Sequence, residues 1–115
     1  MKLAKVKKLL NAKVYTDMDY ENVEVFSACG SDLMSHVLAY FKDRGLLLTG
    51  LNNPQVVRTA EMMDILCIVM VRGKEPEPEV VKLANEKGLV VMKTDCTLFT
   101  ACGLLYTEGL RGGGY

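Results

Sequence analysis

Four times in this chain an apolar run ends in small or polar residues and a helix start follows at once. The joints are Val25-Phe26-Ser27-Ala28-Cys29-Gly30-Ser31-Asp32, Leu46-Leu47-Leu48-Thr49-Gly50 with Asn53-Pro54, Ile68-Val69-Met70-Val71-Arg72-Gly73, and Val90-Val91-Met92-Lys93-Thr94-Asp95. Strands alternating with helices through short loops imply a mainly parallel sheet, because a crossover returns the chain to run the next strand in the same direction. The expected fold class is therefore α/β, a three-layer α/β/α domain with a mainly parallel sheet of four to five strands. Strand order is not readable from the pattern. The carboxyl ends of such strands are where open α/β sheets bind ligands.

The pattern places elements in order. Residues 2–10 set Leu3, Val6, Leu9 and Leu10 on one helical face with lysines opposite. Val14 and Tyr15 form a brief extended piece, and Asp17 to Asn22 a polar loop. Residues 23–28 read as the first clear strand. Ser31 is the expected cap of the next helix, whose buried stripe is Leu33, Val37, Leu38 and Phe41, and Gly45 stops it. Leu46 to Thr49 is a strand. Asn53-Pro54 starts a helix with Val56, Val57, Ala60 and Met63 inward and Arg58 and Glu61 outward. Ile65 to Val71 is an uncharged run, as a central strand buried on both faces requires. Pro78 opens a helix that Gly88 ends, with Val80, Val81, Leu83 and Ala84 inward. Leu89 to Met92 is the last strand. Thr94 or Asp95 caps a final helix carrying Leu98, Phe99, Cys102, Leu105 and Tyr106. Residues 1–109 form a single domain, and 110–115 a flexible glycine-rich tail.

Bulk properties exclude several function classes. The 115 residues suit one domain able to bury a core without staples. The 14 basic and 14 acidic residues balance, so general nucleic-acid binding is not expected. No apolar run approaches the roughly 18 residues of a membrane span, and lysines interrupt the amino terminus as no secretory signal allows. Four cysteines in such a chain read as reduced thiols, and the expected localisation is cytoplasmic.

No Gly-x-x-x-x-Gly-Lys-Ser/Thr or Gly-x-Gly-x-x-Gly is present, so a P-loop kinase or a dinucleotide fingerprint is excluded. Cys29, Cys67, Cys96 and Cys102 contain no Cys-x-x-Cys pair, so neither a metal site nor any other cofactor is expected. Cys29 and Cys96 lie near helix N-termini, where thiol pKa falls. Cys67 reads as a buried small hydrophobe. His36 falls one turn past Asp32, a spacing suited to a contact on a helix surface. No catalytic set emerges. The ligand-binding candidates are the polar groups at the joints: Ser27, Cys29, Gly30, Ser31 and Asp32 at the first; Thr49, Gly50, Asn52 and Asn53 at the second; Arg72 and Gly73 at the third; Thr94, Asp95 and Thr97 at the fourth. Hydroxyls and helix N-terminal N–H groups there suit a small anion, although simple capping explains many of them.

Ile65 to Ala101 reads as one phrase: an apolar strand, Val71-Arg72-Gly73, Pro76 and Pro78, a helix containing Leu83-Ala84, Gly88, a second strand, then Thr94, Thr97 and Phe99. This resembles the DRTGG domain and the amino-terminal domain of HPr kinase/phosphorylases. Gly30-Ser31-Asp32 stands where DRTGG domains carry Gly-Asp-Arg, so the signature arginine is missing. The Thr-Gly-Gly element is matched to Val71-Arg72-Gly73-Lys74 in degraded form. The chain also looks like stand-alone DRTGG proteins found beside iron-hydrogenase and redox genes.

The resemblance implies an HPr kinase N-terminal-like fold and a regulatory or scaffold role. It also implies self-association as a homodimer and a small anionic or nucleotide ligand. Two alternatives stay open. One is an iron–sulfur or redox accessory protein with a hydrogenase partner, using Cys29 and Cys96. The other is a small enzyme acting on a phosphorylated substrate through Asp32, Arg72 and Asp95.

Overall fold

A computed structural model describes residues 1–40 and 44–112. The chain forms α1 (Leu3–Leu10), β1 (Lys13–Val14), β2 (Ala28–Gly30), α2 (Met34–Tyr40) and β3 (Leu46–Thr49). It continues through α3 (Pro54–Met62), β4 (Cys67–Met70), α4 (Pro78–Lys87), β5 (Val90–Lys93) and α5 (Leu98–Thr107). The sheet order is β1-β5-β4-β3-β2. The strands β2 to β5 are parallel, and β1 runs antiparallel to β5 with Val14 opposite Met92.

The order of the parallel strands follows their order in the chain. Right-handed crossovers between successive neighbours then put every crossover helix on the same face. One core accordingly joins Val37 of α2, Val56, Val57 and Ala60 of α3, and Val80 and Ala84 of α4 to Leu47, Ile68, Met70 and Val91. The opposite face of the same strands, Leu46, Leu48, Cys67, Val69, Val90 and Met92, is covered by Leu3, Val6 and Leu10 of α1 and Ala101 and Leu105 of α5. Alternate residues of each strand thus enter different cores. The expected three layers are present, and the uncharged run around β4 occupies the middle of the sheet.

Local chemistry fixes the helix ends. The Asn53 side chain accepts from Val56 N at 3.2 Å, with Pro54 as the first helical residue. Pro78 likewise opens α4, and Gly88 closes it in the left-handed region at φ 71°.

Several expectations are corrected. The alternation in residues 23–28 does not make one strand. Val25 N donates to Met1 O, Leu3 N donates to Val23 O, and Glu24 bridges Lys2, so this stretch pairs with the chain's first residues; the sheet strand starts at Ala28. Ser31 is not the cap of α2, because its Oγ accepts from Leu33 N in a turn that precedes the helix. Leu33 and Leu38 are exposed, leaving Val37 as the buried member of the expected stripe; Phe41 lies outside the described residues. Thr97, not Thr94 or Asp95, caps α5 by accepting from Thr100 N. Phe99 and Tyr106 point outward. Leu110, placed in the expected tail, is buried in the α1–α5 core, and Arg111 O accepts from Ala28 N.

Ile68 is fully buried between β4 and the crossover helices. Ile68→Ala is expected to lower unfolding free energy by about 2–5 kcal/mol in denaturant titration. Met62→Ala, at a position 70% exposed, should stay within about 0.5 kcal/mol.

Candidate functional site

The register puts Thr49, Met70 and Lys93 side by side at the carboxyl edge of the sheet. After β4 the chain turns to α4 on one face; after β5 it turns to α5 on the other. Neighbouring connections that diverge in this way open the crevice where α/β sheets bind ligands. Here the crevice is bridged at its base. Arg72 N donates to Cys96 O and Gly73 N to Thr94 O, both at 2.8 Å. The bridge needs two successive left-handed residues, Arg72 at φ 62° and Gly73 at φ 69°.

This backbone turn sends the Arg72 side chain across the β3 joint. Its guanidinium lies on Gly50 so closely that a Cβ there would fall 1.9 Å from a terminal nitrogen. The guanidinium thus rests against bare backbone at Gly50, and a side chain there would push it aside. Asp32 reaches the same place from the β2 joint. Its Oδ1 accepts from Gly50 N at 2.6 Å and from Thr49 Oγ1 at 3.0 Å, and its Oδ2 lies 3.8 Å from Arg72. Lys74 Nζ donates to Gly50 O at 3.4 Å. Three joints thus converge on one cluster of an acid, two cations, a hydroxyl and a backbone N–H. Arg72 thus stands beside Asp32 in space, although the two are far apart in sequence.

The Gly50 N–H holds the Asp32 carboxyl below the usual carboxylate range, and Thr49, Arg72 and Lys74 act in the same direction against the opposing effect of burial. By contrast, burial pushes the Cys29 thiol up, and the nearby Cys102 adds to this. Cys102 and the fully buried Cys67 are raised by burial as well. The expectation of an activated thiol at Cys29 is overturned, because desolvation disfavours the thiolate there.

The other candidates divide by position. Ser27 is buried at the amino end of the parallel strands, where its carbonyl accepts from Leu46 N, so it is remote from the carboxyl edge. Cys29 lies within β2, half-buried on the α2–α4 side. Gly30 packs under Cys102 and Leu98, where a Cβ would lie 2.6 Å from Cys102 Sγ. Asn52 is a clamp: Nδ2 donates to Glu75 O at 2.7 Å, and Oδ1 accepts from Glu77 N at 2.9 Å. It ties the loop carrying Arg72 and Lys74 to the β3 joint. Asn53, Ser31 and Thr97 serve turns and caps. Thr94 is buried, donating to Leu10 O and accepting from Cys96 N. Asp95 is exposed beside Gly73 and pairs with Lys93 at 3.9 Å. Asp32 precedes α2, and His36 lies within it.

Sequence reasoning missed Lys74, although it directly follows Arg72-Gly73. It also missed Tyr15, whose hydroxyl donates to Glu75 Oε1 at 3.1 Å from the edge strand β1's side. Concavities among the described residues lie away from the cluster. One of about 490 Å³ is lined by Asp19, Glu24, Arg44 and Leu66 among others; another of about 270 Å³ runs between β2 and α5. Among the described residues no group of three His, Cys, Asp or Glu is placed to hold a metal ion. No helix among them is long and apolar enough to cross a membrane.

A five-stranded, mainly parallel α/β/α domain with a polar, cationic carboxyl edge is the class that fold and site define. The chain belongs to the DRTGG domain family, which matches residues 5–107. A solved structure supports the fold: that of the CBS and DRTGG domains of the regulatory region of Clostridium perfringens pyrophosphatase, complexed with the activator diadenosine tetraphosphate. It superposes with a TM-score of 0.76 at 16% sequence identity, covering 90% of this chain and 45% of that one. This chain thus spans less than half the length of that protein's chain. No curated protein matches.

Asp32 has a folded pKa below its unfolded value of about 3.9. Its contribution to stability is therefore complete above that value and is lost as pH falls through the folded pKa. With the carboxylate 43% exposed, the effect should stay below about 1 kcal/mol. Asp32→Asn should flatten the acid limb of a stability–pH curve. Carboxyl NMR should show the Asp32 pKa rising modestly in Arg72→Ala, since the Gly50 N–H remains.

Proposed function

We propose that this chain is a non-catalytic regulatory domain that binds a small phosphorylated ligand, a nucleotide foremost, at the carboxyl edge of its sheet. The observation that carries the reading is the convergence of Arg72, Thr49 Oγ1 and Gly50 N–H on the Asp32 carboxylate, with Lys74 beside them on the Gly50 carbonyl. Cations, a hydroxyl and a backbone N–H are the groups that coordinate phosphate oxygens. Membership of the DRTGG family supports a regulatory role, and a relative's regulatory region complexed with diadenosine tetraphosphate supports the ligand class.

The cluster lacks the layout of an acid–base pair. Asp95 is turned to Lys93 while Asp32 is engaged with Gly50 and Thr49. Burial of the Cys29 thiol runs against the redox alternative at that residue, which calls for accessible thiolate.

Self-association belongs to the same reading. Leu33 is 52% exposed and Phe99 89% exposed, and they follow closely on Gly30 and Leu98, which touch each other. Large apolar side chains left in water near one end of an edge strand suit a contact between copies.

Thermal unfolding against nucleotides and phosphorylated metabolites tests the ligand. At 100 times its dissociation constant a true ligand adds about 2.7 kcal/mol of stability. Arg72→Ala should abolish the gain, and a flat response across the panel overturns the reading. Sedimentation velocity at micromolar concentration tests the self-association. A dimer that Phe99→Asp converts to monomer is expected, and a monomeric wild type defeats it.

A further inference from the structure

We propose that Asp32 acts as a built-in occupant of the anion cradle, holding the place of a ligand phosphate oxygen and withdrawing when that ligand binds. The inference rests on the phosphorylated-ligand reading above and adds how access to the site is controlled.

The neighbours of the Asp32 carboxylate at this point are donors or cations. Gly50 N and Thr49 Oγ1 both donate to Oδ1, and Arg72 faces Oδ2. A carboxylate oxygen and a phosphate oxygen ask for the same partners: charge-assisted N–H and O–H bonds and a nearby guanidinium. The Gly50 N–H therefore cannot serve both at once. A ligand that uses the strongest donor of the site must first displace Asp32.

The position of Asp32 permits this. It lies between the end of β2 at Gly30 and the start of α2 at Met34, in neither a strand nor a helix. The turn around it is held by neighbours, through Ser31 N to Leu48 O and Leu33 N to Ser31 Oγ. Rotating the Asp32 side chain outward breaks none of these bonds. The donors, in contrast, are fixed. Thr49 is fully buried at the end of β3, and the Gly50 N–H belongs to the backbone directly after it. A fixed cradle with a removable occupant favours a ligand of higher charge than a carboxylate. Phosphate monoesters and polyphosphates meet that condition, and monocarboxylic acids do not. The occupant is thus a selectivity device as well as a gate.

The test is titration of the ¹⁵N-labelled full chain with inorganic tripolyphosphate, followed by calorimetry and by the Gly50 amide resonance. Asp32→Ala should bind at least about tenfold tighter than wild type, because no internal anion competes for the donors. Asp32→Asn, neutral but still able to accept from Gly50, should show a smaller gain, and it serves if the alanine variant folds poorly. Asp95→Asn removes an equal charge beside Gly73 without emptying the cradle and should gain less than about threefold. The Gly50 amide should shift upfield in Asp32→Ala and return downfield as tripolyphosphate saturates. Wild-type binding that depends on Arg72 but is unimproved in both Asp32 variants overturns the displacement and leaves the ligand reading standing. Equal gains in Asp95→Asn and Asp32→Ala also overturn it, since general electrostatics then suffice. Absence of binding in wild type and in both Asp32 variants overturns both readings.

Discussion

The handedness of the crossover is the constraint from which the rest of this molecule follows. Three right-handed βα units in succession, each adding its strand beside the last, deliver α2, α3 and α4 to one face and none to the other. The bare face must be covered by helices that are not crossovers. The chain's two outer helices, α1 and α5, do this, and they contact each other as well as the sheet. To reach that face, α5 has to leave β5 in the direction opposite to the one α4 takes from β4. The divergence at the carboxyl edge, between β4 and β5, is thus a by-product of covering the sheet, and the polar cluster lies beside it over the ends of β2, β3 and β4.

The same logic explains which polar groups remain for a ligand. A joint must first satisfy its own helix, and Asn53, Ser31 and Thr97 are consumed in doing so. Thr94 is consumed in tying β5 to the end of α1. What is left comes from the three joints whose loops face each other: the carboxylate of Asp32, the buried backbone of Gly50 that it meets, and the side chains of Arg72 and Lys74. Asn52 sets the spacing between two of these loops without entering the cluster.

Much of the fold was legible because periodicity in a sheet is local. Leu46 to Thr49, the run around Cys67 to Met70, and the Asn53-Pro54 and Pro78 starts are decided by residues close in sequence. The misreadings share one cause. Val23 and Val25 alternate as a strand does, but their partners are the chain's first residues, and no local signal identifies a partner. Leu33 and Leu38 follow helical spacing but cover no core, since α2 packs through Val37. The site was legible as an edge and illegible as a cluster. Asp32 and Arg72 are 40 positions apart in sequence, and their meeting depends on β2, β3 and β4 being consecutive neighbours, which residue patterns do not reveal. Gly50 was legible as a candidate at its joint, but not as the bare backbone on which a guanidinium 22 positions away would rest.

Arg72 occupies a backbone position made for glycine. An L-residue in the left-handed region is disfavoured by about 1–2 kcal/mol relative to glycine. The chain keeps arginine there and places Gly73 in the same conformation immediately after it. Selection for heat resistance alone would drift toward glycine at both positions, yielding a sturdier domain with a silent edge. Robustness and responsiveness are therefore opposed at a single residue. A stabilised version of this domain obtained by such a screen would be a good scaffold and a poor sensor.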